Sequence, residues 1–181
     1  PIATGPLKDG ASIVIWTTTP WTLPANLAIA VHPKERYVVQ EFAKDGRTEV
    51  LVLAESLAGK FSAATGWQPV GQPTETFPGT KLEGCGAQHP FLPRTSIILT
   101  ADFVTMDTGT GCVHIAPGHG DDDYSLGHRN GLPMLSPVDD HGRYTEEAGL
   151  PDLVGKYVFD ANADIVALLR DRGMLIAAEP Y

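Results

Sequence analysis

The sequence predicts a mainly β fold with a few helices, a β-barrel-like domain. Three observations carry that expectation. Short apolar runs of strand length recur at 11–17, 27–31, 96–100, 112–116 and 134–138. Two further runs, 36–43 and 48–54, flank Lys44-Asp45-Gly46-Arg47, in which Asp-Gly is a hairpin signal. Only 160–172 carries a clear helical stripe, through Ile165, Leu168 and Leu169, with Gly173 to end it.

In chain order, 1–10 reads as a linker. The run 11–17 is a strand with Ile13 and Ile15 on one face and Val14 and Trp16 on the other. It leads into WTTTPWTLPAN, from Trp16 to Asn26. Pro20 biases Thr19 toward an extended conformation, which sends Thr17 and Thr19 to one side and Thr18 to the other. A strand entering a Pro-rich turn accounts for one or two threonines. Three hydroxyls followed by Trp21 and Asn26 fit a polar wall that makes hydrogen bonds. Beyond the hairpin, 55–64 reads as a helix ending near Gly66, and 68–93 as Gly- and Pro-rich with short extended pieces. The turn 139–142 is polar, and 174–178 returns as a final strand. There are no internal repeats or low-complexity tracts.

The densest chemistry lies in 103–131, FVTMDTGTGCVHIAPGHGDDDYSLGHRNG. Cys112 to Ala116 reads as a buried strand ended by Pro117. If Val113 and Ile115 face the core, His114 looks into a cleft or solvent from between Cys112 and Ala116. Gly118-His119-Gly120 turns the chain, and Asp121, Asp122 and Asp123 open a helix running to Arg129. Carboxylates in a first helical turn complement the dipole by roughly 0.3–1 kcal/mol each, so a capping role accounts for them. A strand histidine can likewise be structural. The alternative is that strand, glycine turn and helix N-terminus converge on one small polar pocket.

At 181 residues, 43% hydrophobic and 19% charged, the chain fits one domain, 1–181, with a real core. No apolar run has the length of a membrane span, and the first residues do not read as a signal peptide. It starts at Pro1 and stops at Tyr181, as expected of a piece of a longer protein. Cys85 and Cys112 form no CxxC, so neither a disulfide framework nor a zinc knuckle is expected, and an intracellular, cytoplasmic setting is the default. The net charge of −9 argues against broad gripping of a nucleic-acid backbone, though not against holding a few nucleotides at an RNA end.

WTTTPWTLPAN and GTGCVHIAPGHGDDD together resemble the editing domain of isoleucyl-tRNA synthetase, the connective-peptide insertion of the isoleucyl, valyl and leucyl enzymes. The resemblance runs through FPGTKLEG and ANADIVALLRDRG and covers essentially the whole chain. It implies hydrolysis of the ester in valyl-tRNA(Ile), releasing valine and tRNA. A hydrophobic pocket gains only about 1–3 kcal/mol per methylene, a limit for which isoleucine against valine is the usual illustration; a second, smaller site removes the error. By matching motif positions, Thr17, Thr18 and Thr19 resemble the threonine wall that positions ester and water. Asn26 resembles the asparagine that orders it. His114 resembles the histidine that limits the side-chain pocket, with Trp21 and Ala116 beside it among the substrate-binding positions. Asp123 resembles the aspartate that pairs with the α-ammonium group. His119, Asp121 and Asp122 take shaping and capping roles. The resemblance implies no metal and no cofactor for editing. Its partners are the 3′ end of mischarged tRNA(Ile), valine as ester or adenylate, and the rest of a synthetase chain, with no membrane. The HIGH and KMSKS signatures are absent, so no aminoacylation is expected. Two rival readings are a metal-dependent hydrolase using His114, His119 and an aspartate, and a non-catalytic tRNA-binding insertion.

Overall fold

Strands form where β-branched and aromatic residues cluster. The computed structural model describes residues 10–179 and the backbone of Ile2–Thr4. Its strands are β1 (Ile2–Thr4), β2 (Ser12–Ile13), β3 (Ala28–Val31), β4 (Arg36–Lys44), β5 (Arg47–Ala54), β6 (Gln68–Pro69), β7 (Glu75–Pro78), β8 (Gly86–Gln88), β9 (Thr95–Thr100) and β10 (Cys112–Ile115). The helices are α1 (Ala58–Thr65), α2 (Asp121–Arg129) and α3 (Asn162–Asp171), with short 3-10 turns between elements. A mainly β fold with few helices is therefore what the chain adopts. The barrel does not close: one sheet runs β1-β8-β9-β3-β10 and the other β2-β5-β4-β6, with β7 also on β4.

The β4–β5 hairpin is the expected one. Asp45 and Gly46 both have positive φ, 50° and 78°, the backbone of a two-residue turn whose twist matches the strands it joins. Among the described pairings, β2 with β5 and β3 with β9 are parallel.

The chain divides into two compact units. Unit 1 comprises residues 1–17, 28–88 and 95–114. Its core draws Ile29, Val31, Ile98 and Cys112 from the first sheet and Tyr37, Val39, Val52 and Ala54 from the second. The buried Tyr37 hydroxyl is satisfied twice: it donates to the Gly111 carbonyl (2.6 Å) and accepts the His32 N–H (2.9 Å). Burial pushes its pKa well up. Unit 2 comprises 18–27, 89–94 and 115–181, and contains α2 and α3.

Several expectations need correction. The strand expected at 11–17 pairs only over Ser12–Ile13, with one further bond from Val14 N–H to the Val52 carbonyl (3.1 Å). Pro20–Ala25 is a 3-10 helix, with Pro20 at a position where no N–H is needed. Of 134–138, only Val138 pairs, in a bridge to Tyr144, and Met134 is 64% exposed. Residues 174–178 have no ladder. Apolar runs at these places lack a neighbouring strand, and a strand exists only as a pair. Within the supposed linker, Ile2–Thr4 pairs antiparallel with β8; residues 1 and 5–9 lie outside the described residues. In α3, Ile165 is fully buried, but Leu168 and Leu169 are only half-buried.

Candidate functional site

Pro117 ends β10, and the chain folds back at once: the His119 N–H donates to the Ala116 carbonyl (2.9 Å). Gly120 then caps α2 in extended conformation, with no side-chain cap bond. Asp121 and Asp122 are exposed in the first turn, where they complement the dipole. Asp123 differs. It is half-buried, and its Oδ1 reaches back to accept the Ala116 N–H at 2.7 Å. The carboxylate therefore closes the loop between strand and helix. A Cβ on Gly120 would stand 2.6 Å from Asp123 Oδ2, so glycine is what leaves room for that oxygen.

Burial raises the pKa of Asp123; the N–H groups of Ala116 and of Asp123 itself, and His119, pull the other way. Burial lowers the pKa of His119, against the pull of Asp123. Desolvation thus works on both toward their uncharged forms.

The 3-10 turn Pro20–Ala25 is held in unit 2 from several sides. The Trp21 N–H donates to Asn162 Oδ1 at the start of α3 (3.0 Å), and its carbonyl accepts the Tyr144 hydroxyl. The Trp21 ring meets His119 edge to face, centroids 5.1 Å apart. Asn26 is buried; its Nδ2 points to the Ile115 carbonyl (3.5 Å), and its own carbonyl accepts Arg94 Nη1 (3.2 Å). His89 pins the turn at Leu23. Its Nδ1 accepts the N–H groups of Phe91 and Leu92, which leaves Nε2–H to donate to the Leu23 carbonyl at 3.0 Å. Burial lowers its pKa to about 4, so the ring is neutral.

Unit 2 thus brings together Trp21, Asn26, Ala116 and Asp123 through His119 and Ile115. Thr18 and Thr19 lie in the same unit and are exposed, and the Thr19 carbonyl accepts both the N–H and the hydroxyl of Thr22. Thr17, half-buried, and His114 belong to unit 1. His114 requires a correction. Its neighbour Cys112 lies in the core of unit 1, and His114 is only 9% exposed, whereas Val113 is half-buried. Ile115, on the opposite face, is fully buried as well, so β10 is covered on both faces and His114 does not look into solvent. His119 does not cap α2; Gly120 does.

His89, Arg94, Tyr144 and Asn162 were not singled out by the sequence. No spacing ties them to 20–26; the only visible hint was Asn162 at the start of the helical stripe. Among the described residues, no group of three or more His, Cys, Asp or Glu is disposed to hold a metal ion. No helix among them is long and apolar enough to cross a membrane.

Residues 6–152 match the family model described as "Leucyl-tRNA synthetase, editing domain". The chain is 48% identical over 171 residues to the isoleucine–tRNA ligase of Fervidobacterium pennivorans, covering 94% of this chain and 18% of that protein. It is 47% identical over 176 residues to the isoleucine–tRNA ligase of Methylacidiphilum infernorum, with coverages of 97% and 18%. The chain thus spans under a fifth of the length of these relatives. Among solved structures it is similar to GlLeuRS-CP1, with TM-score 0.70 at 17% identity, covering 96% of this chain and 87% of that one. The editing domain of the P. falciparum cytosolic leucyl-tRNA synthetase matches at TM-score 0.70 and 12% identity, with coverages of 93% and 80%. At those identities the likeness is one of fold.

Proposed function

The chain belongs to the family of editing domains of class I aminoacyl-tRNA synthetases, and from that premise we propose that its 181 residues act as one module hydrolysing the ester of valyl-tRNA(Ile). The products are free valine and tRNA. The partners are the 3′ end of the mischarged tRNA and the remainder of an isoleucyl-type synthetase in the cytoplasm.

One observation carries the reading: the Asp123 carboxylate, half-buried, spends Oδ1 on the Ala116 N–H, while Oδ2 stands beside a glycine. A desolvated anion with one oxygen held fixed is a suitable partner for an α-ammonium group, through a charge-assisted hydrogen bond. Anchoring the ammonium sets the position of the ester carbonyl one bond away. Thr17, Thr18 and Thr19 then serve as the hydroxyl wall that orders ester and water, with Asn26 helping to order the same site. An aminoacyl ester is already activated, so orientation of water and stabilisation of the oxyanion suffice for hydrolysis. In this reading His114 sets the size limit, and Trp21 and Ala116 line the substrate. The reaction draws on no cofactor and no protein-bound metal.

The test is deacylation of valyl-tRNA(Ile) and isoleucyl-tRNA(Ile) by the chain, with and without chelator. Release of valine well above the spontaneous rate, unaffected by chelator and slower for isoleucine, is expected. Equal rates on both esters would remove the selectivity. Loss of activity on chelation would replace this reading with a metal-dependent one.

A further inference from the structure

Four aromatic rings of unit 2 form one continuous edge-to-face track. His119 lies 5.1 Å from Trp21, Trp21 lies 5.9 Å from Phe159, and Phe159 lies 5.4 Å from Tyr157. The outer end of the track is open: Phe159 is 58% exposed and Tyr157 38%. These rings are nonetheless well mounted. Val158 and Ala161, on either side of Phe159, are buried. The Tyr157 ring lies so close over Gly142 that a Cβ there would meet it at 2.8 Å. At the inner end, Trp21 Nε1 and His119 Nε2 are buried without a hydrogen-bond partner among the described residues. The track therefore combines flat apolar faces outside with hydrogen-bonding capacity to spare inside. A purely apolar partner would use the first and leave the second idle.

Cations flank the outer end. Arg143 pairs with Tyr157 through a backbone bridge and rests its guanidinium on the Gly155 carbonyl (2.8 Å). Lys156 precedes Tyr157, and its ammonium meets Asp164 at 2.7 Å in a pair about 40% exposed, of the kind that contributes little and exchanges readily. Trp21, within the track, directly follows Thr19-Pro20 of the threonine motif. An RNA whose 3′ end presents an ester there must lay its neighbouring nucleotides, unpaired, nearby. Unpaired bases bind proteins chiefly by stacking on aromatic rings, and that mode suits a chain with net charge −9, which cannot rely on many phosphate contacts.

Resting on the hydrolytic reading above, we propose that the His119–Trp21–Phe159–Tyr157 track is a stacking platform for the unpaired 3′-terminal nucleotides of the RNA substrate. A base lies against Phe159 and Tyr157, Arg143 and Lys156 face the adjoining phosphates, and the ring nitrogens at the inner end meet polar groups of the terminal nucleoside.

The test uses a short, uncharged single-stranded RNA ending in CCA, titrated against the chain by fluorescence anisotropy. Phe159→Ala should weaken binding about tenfold, with the same factor at low and high salt, and Phe159→Trp should restore it. In deacylation of valyl-tRNA(Ile), Phe159→Ala should raise KM and leave kcat at saturation unchanged. Asp121→Asn, at an exposed position outside the track, should bind the uncharged RNA as the parent does. Phe159-dependent RNA binding without ester hydrolysis would sink the hydrolytic reading and keep the platform. Normal RNA affinity and normal KM in Phe159→Ala, at an unchanged melting temperature, would overturn the platform and keep the hydrolysis; that is the result expected if the rings instead contact another protein segment. Failure of the parent to bind the RNA overturns the platform as well.

Discussion

Asp123→Asn separates the two tasks that the Asp123 carboxylate can perform. The structural task is to accept the Ala116 N–H at 2.7 Å and so close the turn between β10 and α2. An asparagine Oδ1 at the same place still accepts that bond. Losing the charge weakens it, since hydrogen bonds to ions contribute about 1.5–3 kcal/mol and neutral ones about 0.5–1.5. Relief from burying an anion offsets the loss, because the raised pKa of Asp123 means that folding disfavours its charged form. The net change in stability is therefore expected to stay within about 1 kcal/mol, or about 2–4 °C in melting temperature for a chain of this size. The functional task has no such compensation. Removing the charge opposite a substrate ammonium in a desolvated site costs about 2–5 kcal/mol, or roughly 30-fold to several thousand-fold in deacylation. Asp121→Asn and Asp122→Asn, both exposed, are the controls and should deacylate almost normally. Asp123→Ala strands the Ala116 N–H and should lose about 1–3 kcal/mol of stability in addition. Gly120→Ala keeps the charge but places a Cβ 2.6 Å from Oδ2, so it should lose deacylation through displacement of the carboxylate. The assay is single-turnover release of valine from valyl-tRNA(Ile) alongside thermal melting. Near-normal rates for Asp123→Asn, or an equal loss in all three Asp→Asn variants, would refute the ammonium anchor and leave a structural strut.

His114→Ala should raise hydrolysis of isoleucyl-tRNA(Ile) relative to valyl-tRNA(Ile), since a cavity opens where the buried ring stood; an unchanged ratio removes His114 from size selection. His89 should make the fold acid-sensitive: its pKa is about 4 folded and about 6.5 unfolded, so the stability present above pH 6.5 is lost as pH falls toward 4, by about 3 kcal/mol in all. Urea unfolding at pH 7 and pH 4.5 should show that loss in the parent and not in His89→Gln, and parallel losses would mean that the buried ring is charged. Ile165→Ala should cost about 2–5 kcal/mol because Ile165 is fully buried, whereas Leu168→Ala, half-buried, should cost clearly less; equal losses in chemical unfolding would contradict the packing of α3.

What the sequence made legible was what local chemistry decides. Asp45-Gly46 dictated a hairpin because both positions need positive φ, and the aspartate triplet after Gly120 dictated a helix start because carboxylates suit its dipole. The strand runs 27–31, 96–100 and 112–116 were legible for the same reason, each being short, apolar and bounded. Pairing was not legible. Nothing in 134–138 or 174–178 says that no partner strand stands beside it, and nothing in Ile2–Thr4 says that β8 does. The covering of β10 on both faces was not legible either. Ile115 is fully buried, as its hydrophobicity suggested, but Cys112 packs in the core of unit 1 and His114 is buried as well. Alternation fixes which residues share a face, and only the surroundings fix which face is buried.

The same division explains what was visible of the candidate site. Side chains whose role follows from their own chemistry stood out as motifs: the threonines, the strand histidine, the aspartates. Those that hold the motif in place did not, because their work is done through backbone groups far away in sequence. His89 binds the Leu23 carbonyl, Arg94 the Asn26 carbonyl, Tyr144 the Trp21 carbonyl and Asn162 the Trp21 N–H. A 3-10 turn that begins with Pro20 and contains Pro24 cannot satisfy all of its own backbone, so its remaining polar groups must be met from outside. The prolines that fix the shape of 20–26 are thus what create the need for four remote partners. Substituting one of those partners should therefore disturb Trp21 and Asn26 together, by shifting the turn as a whole rather than by removing a single contact.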